Sequence, residues 1–193
     1  AQAVQFLRSR RSVRRFKDKP VDQETLKQLI EIARYAPTAS NTQLIEWIVI
    51  NDRKKIHSIA EEVINWMRQI LEKDPQPANM PYMPLLVAAW DMEYDAILHG
   101  APGLVIATAP KEDANGMVDI TLALSYLELA ATTLGLGTCW AGLLRGALYS
   151  QAYLREVVGI PENHPHHYGL MIGYPAVKYY RMPERKAPKI SFK

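Results

Sequence analysis

An unusually dense cluster of positive charge lies near the start of the chain, in the segment RSRRSVRRF at residues 8–16. Like charges repel, so such a cluster needs a partner: bulk water, a nucleic acid, an acidic membrane or a small anionic ligand. If residues 9–15 are extended, alternate side chains share a face, and Arg10, Ser12 and Arg14 point the same way. Two guanidinium groups and a hydroxyl suit a phosphate with a second anionic centre nearby. A solvated basic surface is the alternative.

Other phosphate-binding patterns are weakly supported. The sequence contains no G-x-x-x-x-G-K-[ST] loop. Gly135 and Gly137 begin like a dinucleotide fingerprint, but Trp140 stands where the third glycine is required. The pair also follows a predicted helix and precedes a predicted strand, which is the reverse of the order that this fingerprint needs. A Rossmann-type nucleotide site is therefore not predicted.

Metal and nucleophile chemistry is also weakly supported. His164, His166 and His167 are close in sequence, but neighbouring side chains of a strand point to opposite faces, so we predict no metal site. Cys139 lies in an apolar run, where a free thiol is usually inert packing. We therefore assign no side chain as catalytic. An enzyme built on this chain would take its chemistry from a cofactor.

Composition narrows the class of protein. The length of 193 residues suits one domain, residues 1–193, and a net charge of +3 is low for a dedicated nucleic-acid binder. The single cysteine excludes an internal disulfide and fits a reducing compartment. No signal peptide or long uncharged apolar segment is present. We predict a cytoplasmic protein with neither a membrane nor a nucleic acid as partner, and leave open whether a segment precedes the sequence.

Hydrophobic periodicity predicts an α+β fold, a small sheet flanked by helices. The predicted helices lie near the N terminus, at 22–37, from 52 to about 73, at 117–134 and near 151–158, and the predicted strands lie at 46–52, 101–110, 137–144 and 167–175. Asp22 and Asp52 are suited to begin helices, and Gly135 and Gly159 to end them. The proline-rich residues 74–90 predict a loop or lid.

Four segments, in this order, resemble the FMN-dependent nitroreductase family. They are RRSVRRF at 10–16, APTASNTQ at 36–43, the apolar stretch 122–142, and IGYP at 172–175 with the basic tail that follows. Order and spacing agree over nearly the whole chain. The resemblance implies a small, mostly antiparallel sheet in a homodimer that exchanges its C-terminal arms. It also implies two FMN sites at the dimer interface.

The resemblance assigns cofactor contacts to the arginine segment. Arg10, Arg11 and Ser12 would hold the phosphate and the ribityl chain. Arg14 would lie at the N1/O2 edge of the flavin, where a fixed cation stabilises the negative charge that appears on reduction.

Three further segments would complete the cofactor site. The flavin of the opposite subunit would be reached by Thr38, Ala39 and Asn41. The ring near N5 would be lined, with a backbone N–H offered to it, by Trp140, Ala141, Gly142 and Leu143. The phosphate site would be closed by Arg185 and Lys186, with Arg181 as the alternative in the tail.

The implied reaction is hydride transfer from NADH or NADPH to flavin N5, followed by reduction of a nitroaromatic, quinone or similar small oxidant. Leu44, Ile45 and Leu143 depart from the family pattern, so the shape of the substrate pocket stays open. A reductive dehalogenase or an enone reductase on the same scaffold is an alternative. So are a nucleic-acid-binding module that uses the basic cluster and a catalytically idle dimer joined through the helix at 117–134.

Overall fold

The computed structural model describes residues 2–193, which form a four-stranded sheet with helices on both faces. The helices are α1 (Gln2–Ser9), α2 (Gln23–Ala33), α3 (Arg53–Lys73), α4 (Met83–Asp91), α5 (Gly116–Thr133), α6 (Gly142–Ser150) and α7 (Ala152–Val158). The strands are β1 (Glu46–Ile50), β2 (Gly103–Ala109), β3 (Gly137–Trp140) and β4 (His166–Gly173).

The sheet has the strand order β1-β2-β4-β3, and every neighbouring pair is antiparallel. The predicted α+β fold with a small, mostly antiparallel sheet is therefore confirmed. Each residue of the central strand β2 is buried. Its successive side chains enter different cores: Leu104 and Ile106 pack with α3, α4 and α6, while Val105 and Ala107 pack with α2 and α5.

Local signals fix several helix ends as predicted. The side chain of Asp22 accepts a hydrogen bond from the backbone N–H of Thr25 at 2.8 Å and begins α2. Asp52 accepts in the same way from Lys54 at 2.8 Å and begins α3. Gly135, at φ 72°, ends α5 in the left-handed conformation that glycine adopts readily.

Two predictions about local structure were wrong. The segment 74–90 is not irregular throughout, because α4 occupies Met83–Asp91. Pro84 lies in the first turn of this helix, where no backbone N–H is needed for the helical ladder. The strand predicted at 137–144 ends at Trp140, and α6 begins at Gly142. Short apolar runs are compatible with either element, so periodicity alone did not distinguish them.

The remaining differences are shifts of boundaries. The strands predicted at 46–52, 101–110 and 167–175 cover 46–50, 103–109 and 166–173, and α2 ends at Ala33, before Pro37. Among residues 2–193, no helix combines the length and the apolar character that a membrane crossing requires.

Candidate functional site

The arginine segment lies beside the edge strand β3. The backbone N–H of Val13 donates to the carbonyl of Thr138 at 2.8 Å, and Ser12 forms a parallel bridge with Thr138. Val13 is buried. Because successive side chains of an extended segment alternate, Ser12 and Arg14 point away from the core. The fold thus presents these two predicted site residues at the surface beside β3.

A buried carboxylate joins the arginine segment to β3. Glu128, on α5, is only 5% exposed and accepts hydrogen bonds from three side chains. Arg10 donates through Nη1 at 3.0 Å, Trp140 through Nε1 at 3.2 Å and Thr138 through Oγ1 at 3.4 Å. The structure thereby brings together Arg10 and Trp140, which sequence reasoning assigned to opposite ends of one ligand. Sequence reasoning did not identify Glu128, although an acid within a buried apolar helix is a signal that a partner must exist.

Arg10 and the C-terminal tail line a common groove of about 740 Å³. The residues that line it include three arginines, Arg8, Arg10 and Arg185, and one acid, Glu184. The other lining residues are Leu7, Met182 and Pro183. The excess of positive charge makes this groove suited to an anion. Lys186 is exposed and is not among the residues that line it.

Arg11 is directed toward the tail rather than into this groove. Its guanidinium donates to the backbone carbonyl of Arg181 and lies 5.3 Å from the centre of the Tyr179 ring. The Tyr179 hydroxyl donates to the carbonyl of Ser12 at 3.4 Å. In this chain, therefore, Arg11 and Arg181 tie the tail to the arginine segment.

The turn from β3 into α6 is open to a ligand. The N–H of Ala141 donates to the carbonyl of Gly169 at 2.9 Å, which fixes the turn on β4. Gly142, the first residue of α6, is exposed, and no side chain within residues 2–193 caps this helix start. The N–H groups of the first turn, including that of Leu143, can therefore face a bound group.

Tyr168 adjoins this turn and was not identified from the sequence. Its ring meets Trp140 edge to face, with centroids 4.8 Å apart, and the Arg145 guanidinium lies 4.9 Å from its centroid. A Cβ added at Gly142 would lie 3.6 Å from the Tyr168 hydroxyl, an ordinary contact. The packing of this chain therefore does not require glycine at 142, and the missing side chain leaves surface exposed.

The loop at 36–43 is held by a second buried acid. The backbone N–H of Ala39 donates to both oxygens of Asp119, at 3.0 and 3.2 Å. The Thr38 hydroxyl accepts from the N–H of Gln43 at 3.1 Å. Asn41 is exposed, with φ at 56°. Asp119 lies in the first turn of α5, nine positions before Glu128, so the loop and the arginine segment are held at different points along this helix.

Burial sets the titration of the groups near Arg14. It raises the pKa of the Cys139 thiol, against the opposing effect of the Arg14 charge, which is consistent with the predicted inert packing. Burial also lowers the pKa of His99, although the charge of Asp95 opposes this shift. Arg14, Asp95 and His99 line a pocket of about 410 Å³. Within the described residues, no group of three acids, histidines or cysteines is arranged to hold a metal ion.

Comparison with known proteins gives a consistent result. The model of the nitroreductase family matches residues 7–174 of this chain. The chain is 29% identical over 184 residues to an FMN reductase (NAD(P)H) of Bacillus subtilis (strain 168), and the alignment covers 94% of this chain and 69% of that protein.

Solved structures share the fold. A nitroreductase with bound FMN from Bacteroides fragilis NCTC 9343 has a TM-score of 0.82 and 22% identity, over 100% of this chain and 98% of that chain. An FMN-dependent nitroreductase from Clostridium difficile R20291 has a TM-score of 0.73 and 20% identity, over 98% of each chain.

The match at residues 7–174 includes most of the site described above. It contains the arginine segment, the loop at 36–43, all four strands and the turn into α6. The family that the four ordered motifs predict is confirmed, and the chain belongs to the nitroreductase family.

Proposed function

We propose that this chain is an FMN-dependent oxidoreductase that accepts a hydride from NADH or NADPH at flavin N5. It passes that hydride to a nitroaromatic, quinone or similar small oxidant. The observation that carries the proposal is the link through Glu128 between a cationic groove at Arg10 and the exposed helix start that follows Trp140. The related FMN reductase of Bacillus subtilis and the family match support the same activity.

The cationic groove fits the phosphate of FMN. Arg8, Arg10 and Arg185 supply positive charge, and guanidinium groups bind phosphate oxygens through two parallel hydrogen bonds. The Ser12 side chain, half-buried at the foot of the arginine segment, adds a hydroxyl next to the ribityl chain. Arg11 acts indirectly, by holding the tail that carries Arg185 against this segment.

The turn into α6 fits the flavin ring. When bound, FMN supplies hydride acceptance and donation at N5. The chain contributes a flat approach at Gly142, free N–H donors at the start of α6, and the Trp140 indole fixed by Glu128. The Arg14 guanidinium, exposed beside the pocket that it shares with His99, is the cation for the N1/O2 edge.

We also propose a homodimer packed along α5, in which the loop residues Thr38, Ala39 and Asn41 serve the partner's cofactor. An exposed apolar stripe on α5 supports this assembly. Val118 is 57%, Leu122 37% and Tyr126 42% exposed, and a spacing of four residues places them on one face. The end of the tail, residues 187–193, which carries Ile190 at 66% and Phe192 at 92% exposure, is suited to exchange as an arm.

Reconstitution tests the proposed function. The purified chain of 193 residues should be yellow or should take up added FMN. Under anaerobic conditions, NADH or NADPH should bleach the flavin absorbance in a stopped-flow instrument. A nitroaromatic or a quinone should then restore the absorbance, and iodinated phenols and enones test the two alternative activities. Light scattering should report a mass of twice 21.9 kDa.

A negative outcome would be equally clear. Protein that is colourless after incubation with excess FMN and removal of the unbound flavin would refute the proposed cofactor. If such protein also shifted DNA or RNA in a low-salt gel, the basic cluster would instead serve nucleic-acid binding.

A further inference from the structure

Glu128 has more hydrogen-bond donors around it than a structural acid on an apolar helix needs. Its side chain is 6% exposed, and the other buried residues of α5 within five positions of it are all leucine or alanine. Oε1 accepts from Arg10 at 3.0 Å and from Thr138 at 3.4 Å, while Oε2 accepts from Trp140 at 3.2 Å. Both oxygens therefore act as acceptors, which a carboxylate provides and an amide does not.

The Arg10 end of this network faces the cationic groove. Only Nη1 of Arg10 bonds to Glu128, and the Arg10 side chain keeps 30% exposure. A guanidinium is planar, so a hydrogen bond at one nitrogen restricts the directions of the remaining N–H groups. Arg10 lines the groove together with Arg8 and Arg185. Glu128 thus sets the orientation of the arginine that the groove presents to an anion.

The Trp140 end of the network faces the turn into α6. Trp140 is the last residue of β3, and its ring also packs against Tyr168. One carboxylate therefore holds the cation at one end of the site and the aromatic side chain at the other.

We propose that Glu128 is a positioning residue that orients Arg10 for the phosphate of the cofactor, and that Glu128 is the reason why the site distinguishes FMN from riboflavin. This inference rests on the proposed function. The geometry of phosphate recognition is thereby assigned to a residue of α5 that is not among those predicted to touch the flavin.

A Glu128→Gln variant removes the charge of the carboxylate with little change of shape. Glutamine has one acceptor oxygen, so its amide nitrogen opposes a donor at one of the two ends, and the ion pair with the Arg10 guanidinium is lost in either orientation of the amide. We expect the affinity for FMN to fall by about tenfold or more, which is the loss typical of one hydrogen bond to a charged group. The affinity for riboflavin, which lacks the phosphate, should stay within about twofold, because no phosphate contact is lost.

The experiment is a titration of the 193-residue chain, freed of bound flavin, with FMN and separately with riboflavin. The change is made in the wild type and in an Arg10→Ala background, with circular dichroism to confirm folding. In the Arg10→Ala background, Glu128→Gln should have no further effect on FMN binding. Thr138→Val removes only the hydroxyl at 3.4 Å from Glu128, and it should reduce the affinity for FMN by a smaller factor without changing the affinity for riboflavin. This variant provides the test if Glu128→Gln does not fold.

Equal losses of affinity for FMN and riboflavin would overturn the inference. It would also be overturned if Glu128→Gln reduced the affinity for FMN as much in the Arg10→Ala background as in the wild type. Unchanged FMN affinity in Glu128→Gln would also overturn it. These outcomes differ from failure of the proposed function, in which the wild-type chain binds neither flavin and both conclusions fall.

Discussion

Asp119 and Glu128 lie nine positions apart on α5, which places them on opposite sides of the helix and about 14 Å apart along its axis. Each acid holds a different part of the candidate site, since Asp119 binds the N–H of Ala39 and Glu128 binds Arg10. One chain therefore displays the two parts in separate places. Two chains that pack antiparallel through α5, related by a two-fold axis perpendicular to this helix, bring each loop toward the Glu128 end of the partner's α5, which is the arrangement that we propose.

Removal of the Asp119 carboxylate should destabilise the loop at 36–43. In Asp119→Ala, the N–H of Ala39 loses both acceptors, and we expect the free energy of unfolding in urea to fall by about 1–3 kcal/mol. Asp119→Asn keeps one acceptor oxygen and should lose less. The matched control is Glu61→Ala on the exposed face of α3, expected to change this free energy by no more than about 0.5 kcal/mol. If the Asp119→Ala and Glu61→Ala variants unfold alike, Asp119 does not anchor the loop.

Two adjacent arginines provide a test of the electrostatic role assigned to the first of them. Arg14 and Arg15 are both exposed and line the same pocket, so removal of either deletes one positive charge there. If Arg14 faces the N1/O2 edge, Arg14→Ala should lower the midpoint potential of bound FMN by about 30 mV or more, or about 1.4 kcal/mol for two electrons. Arg15→Ala should lower it much less. Equilibration with reference dyes measures both potentials, and equal shifts would show that the effect is only general charge.

Local signals in the sequence predicted the helix ends well, because a cap or a left-handed glycine needs only neighbouring residues. Asp22 and Gly135 act within a few positions of themselves. The start of α4 could not be predicted in this way, because Pro84 is compatible with a loop and with a first helical turn alike. Only the packing of Met83 into the core distinguishes these possibilities.

The candidate site was predicted in its segments but not in its connections. The arginine segment and the turn at 140–143 follow from short motifs, whereas Glu128 binds an arginine 118 positions away. No local sequence pattern marks a pairing between residues this far apart. An acid on the buried face of an apolar helix indicates that a partner exists, but only the fold identifies that partner as Arg10.

The pH dependence of stability should include a contribution from His167. Burial lowers the pKa of His167 from its ordinary value of 6.5, against the opposing effect of its hydrogen bond to the His164 carbonyl and with smaller contributions from the charges of Arg155, Arg145 and His166. Below pH 6.5 the His167 side chain is protonated in the unfolded chain but stays neutral in the folded chain. The contribution of His167 to the free energy of unfolding is therefore complete above pH 6.5 and is lost as the pH falls below it. Urea unfolding from about pH 8 to about pH 5 should show a decline of at most about 1.4 kcal/mol per pH unit from this histidine.

A pair of variants isolates the His167 contribution from other titrating groups. His167→Gln should flatten the decline with falling pH, even if the variant is less stable at every pH. Tyr149→Phe keeps a ring against His167, whose centroid lies 4.9 Å away, and should retain the wild-type slope. A slope that is the same with and without His167 would mean that other groups cause the decline.

Two glycines near the site should respond to alanine with opposite signs. A Cβ at Gly137 would lie 2.5 Å from Val13 and 3.0 Å from Pro175, so Gly137→Ala must displace the backbone that carries the arginine segment. We expect the free energy of unfolding to fall by about 1–3 kcal/mol, with weaker FMN binding.

A Cβ at Gly146, inside α6, would meet only Trp66 at 3.8 Å. Gly146→Ala should therefore raise this free energy by about 0.5–1 kcal/mol, through the higher helix propensity of alanine, and leave FMN affinity unchanged. Thermal and urea unfolding measure both changes, and a stable Gly137→Ala variant with normal FMN affinity would show that the segment is not held this tightly against β3.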